Sequence, residues 1–287
     1  HFGKHQECNT RCLIDKVTRF EDEHKHPMNI DSMTADDLRA FADFLSSDYD
    51  ISMNTSVTNM TLMRTVCNWV RKQGVTNNDP FFGYDMPKAL YGTPYFLTIQ
   101  ERDQVLDADL TDDAELAEYR DMFVFQCMVG CRHSDLVTFT PKNIIDGVLE
   151  YIPIKTKGKL GDVVRVPLIP KAMAILDGHD HGDDEPIFPK HYNFKFNDAI
   201  RRILKRAKVN RVVTVINPKT RLEEKKPISD VATSHLARRT FIGNLYRMVK
   251  DPDLVASMSG HAKGSVAFAR YRVIDDDMKK SLVELIQ

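Results

Sequence analysis

A chain of 287 residues, 42% hydrophobic and 28% charged, is long enough for two ordinary domains and apolar enough to give each a core. Its 40 basic residues against 41 acidic ones leave a net charge of −1, which excludes a uniformly basic nucleic-acid coat but not a basic face. No apolar run approaches the roughly 20 residues that span a bilayer, and the opening shows no signal peptide.

Residues 11 to 85 read as helices. In "MTADDLRAFADFLSSD", Thr34 is placed to cap, and Leu38, Phe41, Phe44 and Leu45 make one stripe. In "TSVTNMTLMRTVCNWVRKQG" the apolar positions Val57, Met60, Met63, Val66, Cys67 and Val70 recur at helical spacing, with Gly74 as the C-cap. "NNDPFFGYDMPKALYGTPYF" breaks the pattern. The division expected from it is a helical domain over residues 1–87, a linker over 88–96 and a second domain over 97–287.

The second domain opens on "LTIQERDQVL", where Thr98 and Glu101 form a capping box. "AELAEYRDMFVFQCMVGC" reads as a buried helix, and "RHSDLVTFTPKNI" as a further helix ending before Pro141. "GVLEYIPI" and "DVVRVPLI" form the clearest β signal, a hairpin whose tip "KTKGKLG" carries Lys155, Lys157 and Lys159. "FNDAIRRILKRAKV" is an amphipathic basic helix, and helices are expected from there to the C-terminus, with breaks at "KDP" and "SGH". The last residues, "DDDMKKSLVELIQ", are amphipathic.

Several clusters invite chemistry. "HDHGDD" approaches a binuclear metal motif, but Asp184 stands where a histidine is wanted and no strand precedes it to aim ligands, so a solvated loop and no metal is the expectation. "HKH" at residues 24–26 reads as surface. Five cysteines are an odd set without zinc company and read as buried, reduced thiols of a cytoplasmic protein. His235 and Arg238 share a helix face behind Thr233 or Ser234, a plausible anion site and an equally ordinary polar face. Arg132, at the mouth of an apolar helix, either binds an anion or forms a simple helix salt bridge with Asp135. Tyr271, between Arg270 and Arg272, serves equally well as packing or as chemistry.

It is the order of these groups that is specific. Arg132 in "GCRHSDL", a lysine hairpin, "HLARRTF" with His235 and Arg238, then Gly260-His261 and Tyr271 together resemble the tyrosine recombinase, or phage integrase, family. The resemblance is strong over roughly residues 95–287, whereas residues 11–85 resemble the core-binding domain in general character only. Cys131, Asp135 and Arg239 depart from the usual boxes without removing a catalytic group.

The resemblance implies a mainly α protein with a small antiparallel β-sheet, a two-domain clamp on double-stranded DNA made of a helical, SAM-like core-binding domain and a catalytic domain. It implies a site-specific recombinase or integrase, acting through a 3′-phosphotyrosyl intermediate without metal, ATP or other cofactor. Tyr271 would be the nucleophile. Arg132 and Arg238 would clamp the phosphate, His235 would take part in proton transfer and His261 would hydrogen-bond the phosphate. Lys157 would protonate the leaving oxygen, with Lys155 its rival, and Asp135 would orient the first-arginine region. Lys195, Arg201, Arg202, Lys205, Arg206, Lys208 and Arg239 are expected on DNA, so that affinity falls with salt.

A tetramer on DNA, a monomer in free solution and a cytoplasmic, nucleoid-associated setting of prokaryotic type also follow. A sequence that begins at His1 leaves room for an arm-type DNA-binding domain before it. The alternatives are a relaxing enzyme of the type IB topoisomerase kind, and a DNA-binding regulator that kept the fold without the chemistry.

Overall fold

The structure is a computed structural model that describes residues 4–47, 49–156, 163–179, 182–249, 251–261 and 283. The chain divides into two compact units, one of residues 1–92 with 216–224, the other of residues 93–215 with 225–287.

In the first unit, α1 (Lys4–His24), α2 (Ala35–Ser47) and α3 (Met53–Lys72) pack around Phe20, Leu38, Phe41, Phe44, Leu45, Met60 and Met63. Phe20 meets Phe41 and Phe44 edge-on, with ring centroids 5.5 and 5.4 Å away, a favoured aromatic geometry. Thr34 and Asp37 bond reciprocally at the start of α2, satisfying two backbone N–H groups that the helix leaves open. At the end of α3 the cap is Gln73, and Gly74 follows at φ +72°. Cys67 is buried, but Cys8 and Cys12 lie exposed on α1, contrary to the expectation of five buried thiols. That helix turns Leu13 and Phe20 inward instead, and the cysteines fall off the stripe.

The second unit begins with α4 (Ile99–Leu106), where the Thr98–Glu101 capping box is fully formed. Next comes α5 (Ala114–Val129), whose residues from Met122 to Val129 are all buried. The helix expected over "RHSDLVTF" is one turn only, α6 (His133–Leu136). Thr138 turns its hydroxyl back to the Asp135 carbonyl, and the Phe139 carbonyl accepts from the Ile187 N–H, which draws the chain off the helical path. The hairpin gains a third strand. β1 (Ile144–Ile145), β2 (Val148–Tyr151) and β3 (Val164–Pro167) form an antiparallel sheet in that order, with Tyr151 opposite Val164. Asp146 and Gly147, both at positive φ, make the tight turn between the first two strands.

α7 (Pro170–Asp177) and α8 (Asn193–Arg206) follow, and α8 buries Phe196, Ala199, Ile200, Ile203 and Leu204. Continuous helix from there is not what forms. β4 (Val212–Ile216) and β5 (Glu223–Pro227) pair as a two-stranded ribbon. Val212, Val213, Val215 and Ile216 are β-branched, and the Asn217 side chain accepts the N–H groups of Lys219 and Thr220 to shape the turn. α9 (Ile228–Val231), α10 (Ser234–Val249) and α11 (Pro252–Ser259) complete the described fold, with α10 laid along α5. Among the described residues no helix is long and apolar enough to cross a membrane.

Candidate active site

Two helix ends build the site. α5 stops at Gly130, whose φ of +68° suits a residue without Cβ. A Cβ there would stand 2.3 Å from Cδ1 of Phe241 on α10, so only glycine lets the two helices approach this closely. The Gly130 carbonyl accepts from Nη1 of Arg238 at 2.8 Å. Thus the turn that launches Arg132 also holds Arg238.

Arg238 is 1% exposed and is the largest fully buried side chain described. A guanidinium stripped of water is costly unless its donors are met. Besides Gly130, it has His261, whose Nδ1 and Nε2 lie 3.0 and 3.2 Å from Arg238 Nη2. His261 directly follows Gly260, the left-handed cap of α11, and Ser259 Oγ stands 2.9 Å from its Nδ1. Burial, then the positive charges of Arg238, Arg132 and His235, push the His261 pKa down to about 3. Its imidazole is therefore neutral at physiological pH and can accept from Arg238 through a ring nitrogen.

His235 is exposed in the first turn of α10, one turn before Arg238. Arg132, half-buried, occupies the N-cap position of α6, and its Nη1 is buried with no hydrogen-bond partner among the described residues. The Arg132–Asp135 salt bridge that spacing allows does not form. Asp135, 1% exposed, instead accepts the backbone N–H of Ile154 through Oδ1 at 2.9 Å, and its Oδ2 is buried without a partner among the described residues. Lys155 comes next in the chain, exposed in the 3-10 turn Ile154–Thr156. Arg132, Asp135, Arg238, His235 and His261 are thus brought together from parts of the chain far apart in sequence, and Lys155 follows a residue tied to one of them. Lys157, Lys159, Tyr271 and the amphipathic C-terminal segment, except Val283, lie outside the described residues.

The other candidates disperse. On α8, Arg202 pairs with Asp113 (2.7 Å), Lys205 with Asp230 (2.8 Å), Arg206 with Asp112 (2.6 Å) and Arg201 with Asp198 (3.3 Å). Lys195 and Lys208 are exposed, and the Arg239 guanidinium lies over the Tyr95 ring, 5.1 Å from its centroid. In the "HDHGDD" stretch, His179 lies 3.5 Å from Asp121, and Asp184 pairs with Lys142. Among the "HKH" residues, His26 pairs with Asp37 at 2.7 Å. Burial, and the charge of neighbouring Asp135, push the Cys131 thiol far up, which makes it an inert neighbour of the arginines. Sequence reading passed over Tyr151, an apparent core residue of β2, and Ser259. Neither carries a local signal: the fold brings Tyr151 near the arginines, and Ser259 meets His261.

The chain matches the phage integrase family over residues 95–278. It belongs to that family of tyrosine recombinases. This integrase domain accounts for the second unit, and solved structures extend the likeness across both. The Tn1549 transposon integrase in complex with a circular intermediate DNA superposes with a TM-score of 0.70 at 14% identity, covering 100% of this chain and 95% of that one. A lambda integrase dimer bound to a COC′ core site gives 0.68 at 14% identity, covering 96% and 90%. The XerH site-specific recombinase bound to a difH substrate gives 0.61 at 14%, covering 96% and 78%. At such identities these likenesses concern the fold alone. No curated protein matches this integrase-family chain.

Proposed function

We propose that the protein is a site-specific DNA recombinase that cuts and rejoins double-stranded DNA through a 3′-phosphotyrosyl intermediate on Tyr271. The observation that carries this reading is the contact of the buried Arg238 guanidinium with His261, on whose imidazole, after burial, the charges of Arg132 and His235 also act. Such a cluster is an anion site, with two guanidiniums for non-bridging oxygens and an imidazole N–H for a third contact. The likeness in fold to integrases and recombinases solved on DNA supports a phosphodiester as that anion.

The chemistry follows from the groups. A phenol with an ordinary pKa near 10 is a weak nucleophile at neutral pH. Arg132 and Arg238 withdraw charge from phosphorus and stabilise the pentacoordinate transition state. Tyr271 Oη forms a bond to phosphorus, its proton passes to His235, and the bond from phosphorus to the 5′-oxygen breaks. A hairpin lysine gives that oxygen its proton. The phosphotyrosine keeps the energy of the diester, so attack by another 5′-hydroxyl reseals the strand without ATP. The anchoring of Ile154 by Asp135 favours Lys155 over Lys157 as the acid, since the carboxylate fixes the backbone next to Lys155.

Phosphate contacts on DNA are assigned first to Lys195, Lys208 and Arg239. Arg201, Arg202, Lys205 and Arg206 must exchange surface ion pairs to join them, pairs that solvent screening keeps weak. Assembly into a tetramer on DNA and action in the cytoplasm belong to the same reading. A suicide DNA substrate tests it: the wild type should become covalently attached and Tyr271→Phe should bind DNA but not attach. Attachment by Tyr271→Phe would move the nucleophile elsewhere.

A further inference from the structure

Tyr151 presents a hydroxyl that the packing of the fold does not explain. The residue is 7% exposed, and its oxygen is buried with no hydrogen-bond partner among the described residues. Its ring sits opposite Val164 in the sheet and edge-on to Phe139, with centroids 4.9 Å apart. Phenylalanine would fill the same volume without desolvating an O–H group. Burial, helped by the nearby Cys131 and Asp135, keeps this phenol protonated although Arg238 and Arg132 pull the other way. It therefore offers one donor and one acceptor.

Among the described residues, Arg132 Nη1, a donor, and Asp135 Oδ2, an acceptor, are also buried without a partner, as are Gln126 Oε1 and His133 Nε2 nearby. Arg132 and Asp135 are the pair whose kinds match a phenol that both donates and accepts. Tyr151, Arg132 and Asp135 do not bond one another directly, so the link runs across water: Arg132 N–H can donate to a water that serves the Tyr151 oxygen, and the Tyr151 O–H can donate through water to Asp135 Oδ2. Asp135 is already fixed through its other oxygen by the Ile154 N–H.

We propose that Tyr151 is a positioning residue, whose hydroxyl links Arg132 to Asp135 and fixes the inward end of the Arg132 guanidinium so that its outward end faces the scissile phosphate. This inference rests on the recombinase reading above. Since the hydroxyl acts through Arg132, its benefit depends on negative charge on the phosphate.

The test compares wild type and Tyr151→Phe as full chains on two suicide duplexes, one with an ordinary scissile phosphodiester and one with an uncharged methylphosphonate there. Tyr151→Phe should melt at the wild-type temperature or higher and bind DNA within about twofold. It should attach covalently about tenfold more slowly on the phosphodiester, the effect of one lost hydrogen bond to a charged group. On the methylphosphonate the deficit should shrink to about twofold or less, because little charge remains for Arg132 to meet. Equal rates for the two proteins on the phosphodiester would overturn the inference and leave the recombinase reading standing. So would an equal deficit on both linkages, the mark of a merely structural tyrosine. A wild type that never attaches to the phosphodiester overturns both.

Discussion

Replacing Gly130 by alanine tests the geometry on which the two arginines depend. Alanine must adopt φ +68°, which costs roughly 1–2 kcal/mol for a residue with a Cβ. Its methyl group would also stand 2.3 Å from Cδ1 and 2.7 Å from Cγ of Phe241, so either the ring or the helix must move. Overpacking of this kind costs about 1–3 kcal/mol, giving a total of about 2–5 kcal/mol. At roughly 2–4 °C per kcal/mol, the melting transition of the second unit should fall by about 4–20 °C.

Gly147→Ala supplies the control. It sits at φ +75° with nothing within 4 Å of the added Cβ, so it carries the backbone cost alone. Phe241→Ala should relieve the clash, making the double variant with Gly130→Ala more stable than the two single effects added together. Urea melts of the wild type and these four variants read the differences directly. Equal losses for Gly130→Ala and Gly147→Ala, or strict additivity with Phe241→Ala, would refute the close approach of α5 and α10.

Stability should also respond to acid through His261. Its folded-state pKa of about 3 lies below the usual 6.5, so as pH falls the unfolded chain takes up this proton first, and stability present above about pH 6.5 is lost toward pH 3. His133, also lowered by burial, adds in the same direction. His261→Gln should flatten the fall between pH 7.5 and 5 in urea melts; an unchanged slope would contradict the buried, neutral imidazole. For the general acid, Lys155→Ala should slow DNA attachment by about 10²-fold or more and recover on a substrate whose leaving 5′-oxygen is replaced by sulfur, which needs no proton. Recovery of Lys157→Ala instead would give the role to Lys157. Lys195→Ala should lower the slope of log affinity against log salt by about one, and Arg206→Ala by less, because Arg206 already answers Asp112. Equal slopes for the two variants would show that α8 meets DNA with its acidic partners displaced.

The sequence is most informative where one periodicity or one cap dominates. The stripe of α2, the Thr98–Glu101 box and the unbroken apolar run of α5 are local facts, and the fold realises each. The β4–β5 ribbon escaped because its second strand, "EEKKP", is charged at nearly every position and shows no alternation. Its first strand was readable in principle from the β-branched run before Asn217-Pro218. The short α6 escaped because tertiary bonds, not propensity, end it. At the site, Arg132, His235, Arg238 and His261 were legible through their order, whereas Tyr151 was not. A tyrosine in an apolar strand reads as packing until the fold shows its oxygen stranded beside two arginines.

Gly260 carries one further consequence. A Cβ on it would stand 3.0 Å from Val164 and 3.1 Å from Pro153, the residues on either side of the segment that holds the lysines, and the next residue is His261. Gly260 thus lets the α11 cap that precedes His261 pack directly on Pro153 and Val164. A side chain there would have to adopt φ +64° and push Val164 and Pro153 aside by a few tenths of an ångström, so the seat of His261 and the strand ends flanking the lysine segment are set by the same hydrogen atom.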